Sequence, residues 1–600
     1  MKKIVRMNRI DPKELMADKS IFSVSNGLIG LCGDFSEGNL DKLPNTALVN
    51  GFYNNYPYRY EENSPMFPQQ GERIVNVPDG QAIICRAGCD QIDINHCRIL
   101  NLKRVYNLET GRTLRETSYM TPSGKTFVIS EEKFASKLIP ELAVIRLNVK
   151  SLDYRGAFTM TSKLTMPKFK DESLVDPRIN RSGSNDLECD GSDISDGIAS
   201  LYVKTASSNL RLSVHTTHDR ESQWIASDDG LSCDFDFILE PGKEIFITKY
   251  LAYVPGSLYP DFIAKGDDVV KNARMVGYDF LSRQQADYYR LFWDRNHIGI
   301  RDDEKSTSML EYCIFCLDSN LPPDDRLSIP SKGLSGEGYE GHYFWDTEIY
   351  LLPFFSLTDP LKARQLLLYR YNVFALAREE AARQGSPVGV KIPWRTISGR
   401  EVSPYFLAGS SQYHINSDIA YSVFQYYDLT GDIEFMLNFG FEMVLETARF
   451  LYAVGNFHDG SFHINGVTGP DEYTTQVNDN YFTNSMAKYH FERLVEFYQL
   501  NEEKLADRAE KLDLTENEIK NFTKAADRIT LIYDKKSNIV VQDQSFLQKA
   551  FWDLNSIPEE NRPLLLHYHP SYIYRHQVLK QADVLLSMFL LDYDDLPIMK

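Results

Sequence analysis

From Met1 to about Val254, apolar and polar residues alternate in short runs such as LAVIRLNV, LRLSVHTT and KEIFITKYLAYV, separated by Gly, Asn, Asp and Ser clusters. Side chains of a strand point alternately to its two faces, so a period of two predicts half-buried strands, and many of them in series predict an all-β sandwich. Between Asp268 and Asn296 the spacing changes. Val269, Val270, Val276, Phe280, Ala286, Tyr289 and Phe292 recur every three or four residues, as on one face of a helix, and this helix reads as a connector. Beyond Ser306 helical spacing prevails, in LKARQLLLYRYNVFALAREEAARQ, NSDIAYSVFQYYDLTGD, IEFMLNFGFEMVLETARFLYAV, NSMAKYHFERLVEFYQL and NEIKNFTKAADRITLIY. The chain is therefore expected to be a multidomain β plus α protein. A β-sandwich spans 1–260, a helical linker 261–303, and an all-α domain 304–600.

The helical part has two long interruptions, Gln384 to Gln412 and Phe457 to Asn480, which carry Trp, His, Arg, Gly and Pro in place of simple linker residues. Loops of that length inside a compact domain are usually functional. The Ser/Asp/Gly-rich stretch Ser182 to Gly197 reads as an exposed loop of the β domain without chemistry.

Composition narrows the possibilities. At 600 residues with 43% hydrophobic and 25% charged side chains, the chain can bury more than one core and is not disordered. A net charge of −19 argues against nucleic acid or an anionic membrane surface as partner. The N-terminus, MKKIVRMNRIDPKEL, has no apolar stretch behind its lysines, and no apolar run approaches the roughly 20 residues of a spanning helix, so cytoplasmic residence is expected. Of the eight cysteines, Cys313 and Cys316 form a CxxC within an apolar helical pattern, without a second pair to complete a zinc site. They are expected to be buried thiols. Cys85, Cys89 and Cys97 lack matching His spacing and read as free thiols in a reducing compartment.

Candidate chemistry concentrates in HINGVTGPDEYTTQVNDNYFTN, His463 to Asn484. Gly469 and Pro470 end regular structure, and Glu472 stands among Tyr473, Asn478, Asn480, Tyr481 and Asn484, which offer aromatic faces and amide donors suited to a sugar. The residues alone also allow a solvated carboxylate on an Asx-type turn.

Three segments of the helical half resemble glycoside hydrolase family 65, which contains the maltose, kojibiose, nigerose and trehalose phosphorylases. They are GLSGEGYEGHYFWDTEIYLLPFF (Gly333 to Phe355), GVTGPDEYTTQVNDNYFTN, and KQADVLL (Lys580 to Leu586). In the β half, FSVSNGLIGLCGDF and NGFYNNYPYRY resemble its opening segments. The resemblance implies an N-terminal β-sandwich (supersandwich), a helical linker and an (α/α)6-barrel catalytic domain. It implies that Glu472 is the general acid, a group that must hold its proton near neutral pH through burial or a nearby negative charge, for which Asp471 is a candidate. Trp345 and Asp346 are implied to bind glucose by packing and by bonds to its hydroxyls, and Lys580 and Gln581 to bond the same glucose. Trp394 is implied to wall the pocket. Read without the family, Trp345 would be a core residue, Asp346 a helix cap, Trp394 a loop anchor, and Lys580 and Gln581 solvent-facing. His342 and His414 read as structural.

The implied reaction is inverting phosphorolysis of an α-linked glucose disaccharide or oligosaccharide to β-glucose 1-phosphate, with inorganic phosphate as co-substrate and no metal or organic cofactor. The stretch SPYFLAGSSQYHINSDIAY is closer to kojibiose- or nigerose-type members. Many relatives are dimers, so the resemblance admits a homodimer, while the residues themselves do not give the oligomeric state. Family members hold phosphate on a Ser/Thr/His loop shortly after the Lys-Gln segment, and related hydrolases place a second Glu there. That region lies beyond Lys600, and only about eight of the family's twelve barrel helices are counted, so the catalytic domain is expected to be truncated at its C-terminus. An inverting hydrolase of the same fold and a non-catalytic sugar-binding remnant stay open as alternatives.

Overall fold

The computed structural model describes residues 3–8, 10–39, 45–168, 185–227, 229–336 and 338–591. It divides into two compact units, one of 1–56, 72–323 and 329–342, the other of 57–71, 324–328 and 343–600.

The first unit contains the expected β-sandwich together with the helices that follow it up to 323. A nine-stranded antiparallel sheet runs in the order Lys3–Met7, Arg98–Asn107, Arg112–Met120, Thr126–Ala135, Leu142–Ser151, Glu244–Pro255, Arg211–His218, Ile198–Thr205, Leu187–Ser195. A five-stranded sheet contains Ile225–Ser227, Gly230–Leu239, Gly156–Thr165, Ile83–Ala87 and Asp90–Ile92. Alternation decides which face is buried: along Thr126–Ala135, Phe127 and Ile129 point inward. The interior is not wholly apolar. His218 Nε2 meets Ser162 Oγ at 2.9 Å between the two sheets, and Lys249 Nζ donates to the Lys163 carbonyl at 2.6 Å. Burial pushes the Lys249 ammonium down to about 7, and the carbonyl contact is the partner that a buried donor requires.

The connector is two helices, Phe262–Val276 and Tyr278–Asn296. It is not a free linker, because Val269, Val270, Ala273, Tyr278 and Leu281 share a core with Phe134, Leu142, Val144 and Val254 of the sheet. Two expectations need correction. In the stretch read as a loop, residues 187–195 form the edge strand Leu187–Ser195, and 182–184 lie outside the described residues. The overlooked signal is Asp196-Gly197, whose φ angles of 52° and 75° make the two-residue hairpin turn into Ile198–Thr205. An edge strand solvated on one side needs no apolar period, which hid it. Cys313 is exposed on helix Glu304–Ser319 instead of buried, while Cys316 is partly buried, its thiol pushed up to about 11 by burial.

The second unit is helical. Helix His414–Thr430 packs against Phe441–Val454 and Tyr481–Leu500, and the last of these also against Glu516–Arg528. Its core holds Ile419, Val423, Phe424, Met443, Val444, Phe491 and Leu494. The run from Leu361 to Gln384 divides at Val373 into Pro360–Asn372 and Phe374–Arg383. Among the described residues no helix is long and apolar enough to cross a membrane.

Candidate active site

All six residues singled out from the sequence fall in the second unit. Trp345 and Asp346 directly precede a π-helical turn, Thr347–Leu351, that continues into helix Leu352–Thr358. Wide turns of this kind cost hydrogen-bond geometry and recur at functional sites. Asp346 makes no capping hydrogen bond and stays exposed, so its carboxyl is available to a ligand. Its pKa is nevertheless raised, first by desolvation from the protein packed around it, then by the negative charges of Glu348 and Glu472. Asp346 and Glu472 are thus close enough to sense one another. Below the turn, Glu348 and Arg370 form a fully buried two-pronged ion pair, with Nε and Nη2 each 2.8 Å from a carboxylate oxygen, and Nη2 also donates to the Phe344 carbonyl at 2.9 Å.

Trp345 is only 5% exposed. Its ring meets His414 edge-on at 5.1 Å and Tyr350 at 5.7 Å, which leaves a ligand only a margin of the indole. His414 is held by Asp418, 2.6 Å from its Nδ1, and by Gln412, 3.2 Å from its Nε2, which fits the structural role read for it. His342 lies in the first unit, where its Nδ1 is 2.9 Å from the Tyr339 carbonyl.

Trp394 sits half-buried on the first long loop. The loop is closed by Glu401, a buried carboxylate that takes Lys391 Nζ at 2.8 Å, the Trp394 N–H at 2.7 Å and Ser403 Oγ at 2.5 Å. Burial alone would raise the Glu401 pKa, but Lys391 and these donors hold it below the ordinary value. The indole lies on Gly409, where a Cβ would come within 2.2 Å of it, and meets Phe344 edge-on at 5.6 Å. Trp394 therefore joins the Trp345–Asp346 segment through Phe344. Asn416 anchors the same loop, bonding Ile392 N and the Val390 carbonyl at 3.0 and 2.7 Å.

Glu472 and Lys580 meet directly, with Oε2 2.6 Å from Nζ. Lys580 and Gln581 precede helix Asp583–Leu590 and are exposed, and both point a backbone N–H at the Asp471 carboxylate, at 2.9 and 3.3 Å. Tyr473, next to Glu472, lies in a cluster with Ile573 and Val578, flanked by Trp552 and Tyr574. Sequence reasoning missed Asp583, which lies inside the quoted KQADVLL motif. It is buried and receives the Asp471 N–H at 2.8 Å and Asn480 Nδ2 at 2.8 Å.

Burial, followed by the charge of Asp471, pushes the Asp583 carboxyl up to about 8 against the lowering effect of its hydrogen bonds. Unfolded, it would ionise near pH 3.9. The folded protein therefore binds the extra proton between those values. The stability linked to it is fully present below about pH 4 and declines by on the order of a few kcal/mol as pH rises to about 8. Asp583→Asn is expected to flatten that decline. Urea unfolding of both proteins at pH 5, 6.5 and 8 reads it, and parallel pH profiles would refute the assignment.

A β-sandwich followed by a helical unit that carries a Gly-Pro-Asp-Glu-Tyr loop and a Phe-Trp-Asp segment, the charge of Glu472 being felt at Asp346, places the chain in a class of carbohydrate-active proteins. The chain belongs to glycosyl hydrolase family 65: residues 5–292 match its N-terminal domain and 311–596 its central catalytic domain. It is similar to the α,α-trehalose phosphorylase of Geobacillus stearothermophilus, 34% identical over 609 residues that cover 98% of this chain and 78% of that one. The α,α-trehalose phosphorylase of Thermoanaerobacter brockii is 33% identical, with coverage of 96% and 76%. The kojibiose phosphorylase of Caldanaerobacter subterraneus is 28% identical, with coverage of 96% and 77%. A solved structure described as a candidate kojibiose phosphorylase from human microbiome shares the fold, with a TM-score of 0.88 at 24% identity over 98% of this chain and 78% of that one. The family and architecture expected from the motifs are those found.

Proposed function

We propose that the protein is an inverting α-glucoside phosphorylase. The supporting observation is the Glu472–Lys580 pair at 2.6 Å, with the Glu472 charge felt at Asp346, in a chain similar throughout its length to named phosphorylases. In this reading Asp346, Lys580 and Gln581 bond the glucose hydroxyls, and Trp345 and Trp394 wall the pocket. Glu472 exchanges Lys580 for the bridging oxygen, takes up a proton from solvent as it does so, and gives that proton to the oxygen. The C1–O bond breaks with oxocarbenium character, and phosphate forms a new C1–O bond on the opposite face and releases its proton to solvent, which balances the proton given to the leaving sugar. The products are β-glucose 1-phosphate and the released sugar. The reaction so written needs no metal or organic cofactor.

For the linkage, the named relatives favour α,α-trehalose over the kojibiose- or nigerose-like disaccharide suggested by the 403–421 stretch, since those called trehalose phosphorylases are 33–34% identical and those called kojibiose phosphorylases 26–28%. The test is incubation with trehalose, kojibiose, nigerose and maltose, with and without phosphate, following anomeric protons by NMR. Phosphate-dependent β-glucose 1-phosphate is expected. Glucose released equally without phosphate would replace the reading with a hydrolase.

A further inference from the structure

Two carboxyl groups beside the acid have no part in the reaction as written. The Asp471 side chain accepts from the backbone N–H groups of Lys580, Gln581 and Tyr473 at 2.9, 3.3 and 3.2 Å, and from Gln542 Nε2 at 2.9 Å. In return, the Asp471 backbone N–H donates to Asp583, 112 residues along the chain, at 2.8 Å. The other Asp583 oxygen takes Asn480 Nδ2 at 2.8 Å, while Asn480 Oδ1 accepts from Thr483 N at 3.0 Å and caps helix Tyr481–Leu500. The result is a reciprocal clasp: the Asp471 side chain accepts the backbone N–H groups of 580 and 581, and the Asp583 side chain accepts that of Asp471. It closes tightly over Gly469, where a Cβ would lie 2.1 Å from Asp583 Oδ2.

Both aspartates are buried, so neither is offered to a ligand. Two buried carboxyl groups are a costly way to join two loops, which apolar packing would do more cheaply. What distinguishes the clasp is its neighbours: Glu472 follows Asp471 directly, and Lys580 is the residue whose N–H Asp471 holds.

We propose that Asp471 and Asp583 are positioning residues that fix the Glu472 carboxyl relative to Lys580 and the glycosidic oxygen, an inference that rests on reading Glu472 as the acid. Proton delivery tolerates little displacement, and a shift of about 1 Å costs on the order of 100-fold in rate.

The discriminating measurement compares two substrates in phosphate buffer: the disaccharide identified above and α-glucosyl fluoride. Fluoride leaves as a stable anion without a proton from Glu472, whereas a sugar oxygen needs one. Glu472→Gln sets the reference, with disaccharide cleavage lost and fluoride release retained. Asp583→Ala is expected to show the same split, its disaccharide kcat down about 10- to 100-fold and fluoride release within about threefold of wild type. Asp583→Asn is expected to fall between, since its amide oxygen still accepts the Asp471 N–H while its NH2 faces that of Asn480. If Asp583→Ala does not fold, Asp471→Asn serves, because its oxygen still accepts from 580 and 581 while its NH2 opposes the Gln542 amide. Equal losses on both substrates, or none on either, in a folded Asp583 or Asp471 variant would overturn the proposal. Equal losses in Glu472→Gln would instead remove Glu472 as the acid, and a wild-type protein inert toward both substrates would remove the phosphorylase reading and the clasp's role with it.

Discussion

Glu472→Gln is expected to lower phosphorolysis of the disaccharide by about 10²- to 10⁴-fold while changing sugar affinity by less than about threefold. The amide is nearly isosteric with the acid, and its oxygen can still take the Lys580 ammonium that lies 2.6 Å from Glu472 in the native protein. Lys580 therefore stays anchored, and Asp346, on a different segment, is unaffected. Only the transferable proton disappears. Such a loss belongs to the transition state and falls on kcat with KM nearly unchanged. By microscopic reversibility, synthesis of disaccharide from β-glucose 1-phosphate must fall by the same factor, because there the carboxylate removes the proton from the acceptor hydroxyl. Rates in both directions by NMR, with calorimetric titration of the sugar, test this. A variant that keeps more than a tenth of its activity, or loses one direction only, would mean that another group supplies the proton.

The sequence carried the architecture where burial imposes a period. Strands such as Leu142–Ser151 and Glu244–Pro255 alternate because one face is core, and helices such as His414–Thr430 and Tyr481–Leu500 keep three- and four-residue spacing for the same reason. Where burial imposes none, the signal faded, as in the solvated edge strand Leu187–Ser195. The candidate residues were legible as motifs, and all six fall in one unit, where Glu472 meets Lys580. What could not be read is what holds them. Asp471 and Asp583 meet across more than a hundred residues, Glu401 closes its loop on Lys391 and Trp394, and Asn416 ties Val390 and Ile392 to a helix. A buried polar residue looks like a surface one in sequence, because its partner is set by the tertiary fold. Trp345 shows the converse. Its motif points to sugar contact, yet its packing on His414 and Tyr350 gives most of its surface to the core.

The largest loss of stability is expected at Arg370. Its pair with Glu348 has both side chains fully buried, both prongs at 2.8 Å, and a third bond to the Phe344 carbonyl. Arg370→Met would leave the Glu348 carboxylate in a dry interior without its counter-charge, a loss of about 3–5 kcal/mol. Lysine would not rescue it, since a single ammonium cannot span both carboxylate oxygens and the carbonyl. Adding Glu348→Gln to Arg370→Met should recover part of the loss, because the uncompensated charge is then gone. The damage should reach the site as well. Glu348 sits in the π-helical turn that follows Asp346, Ser422 Oγ holds the Glu348 carbonyl at 3.1 Å, and Arg370 holds the carbonyl of Phe344, the ring on which Trp394 rests. Loosening that turn is therefore expected to raise the KM for sugar in the single variant and less so in the double one. Denaturant unfolding of the two single variants and the double gives the coupling energy directly. A coupling below about 0.5 kcal/mol would mean that the pair does not hold the turn in place.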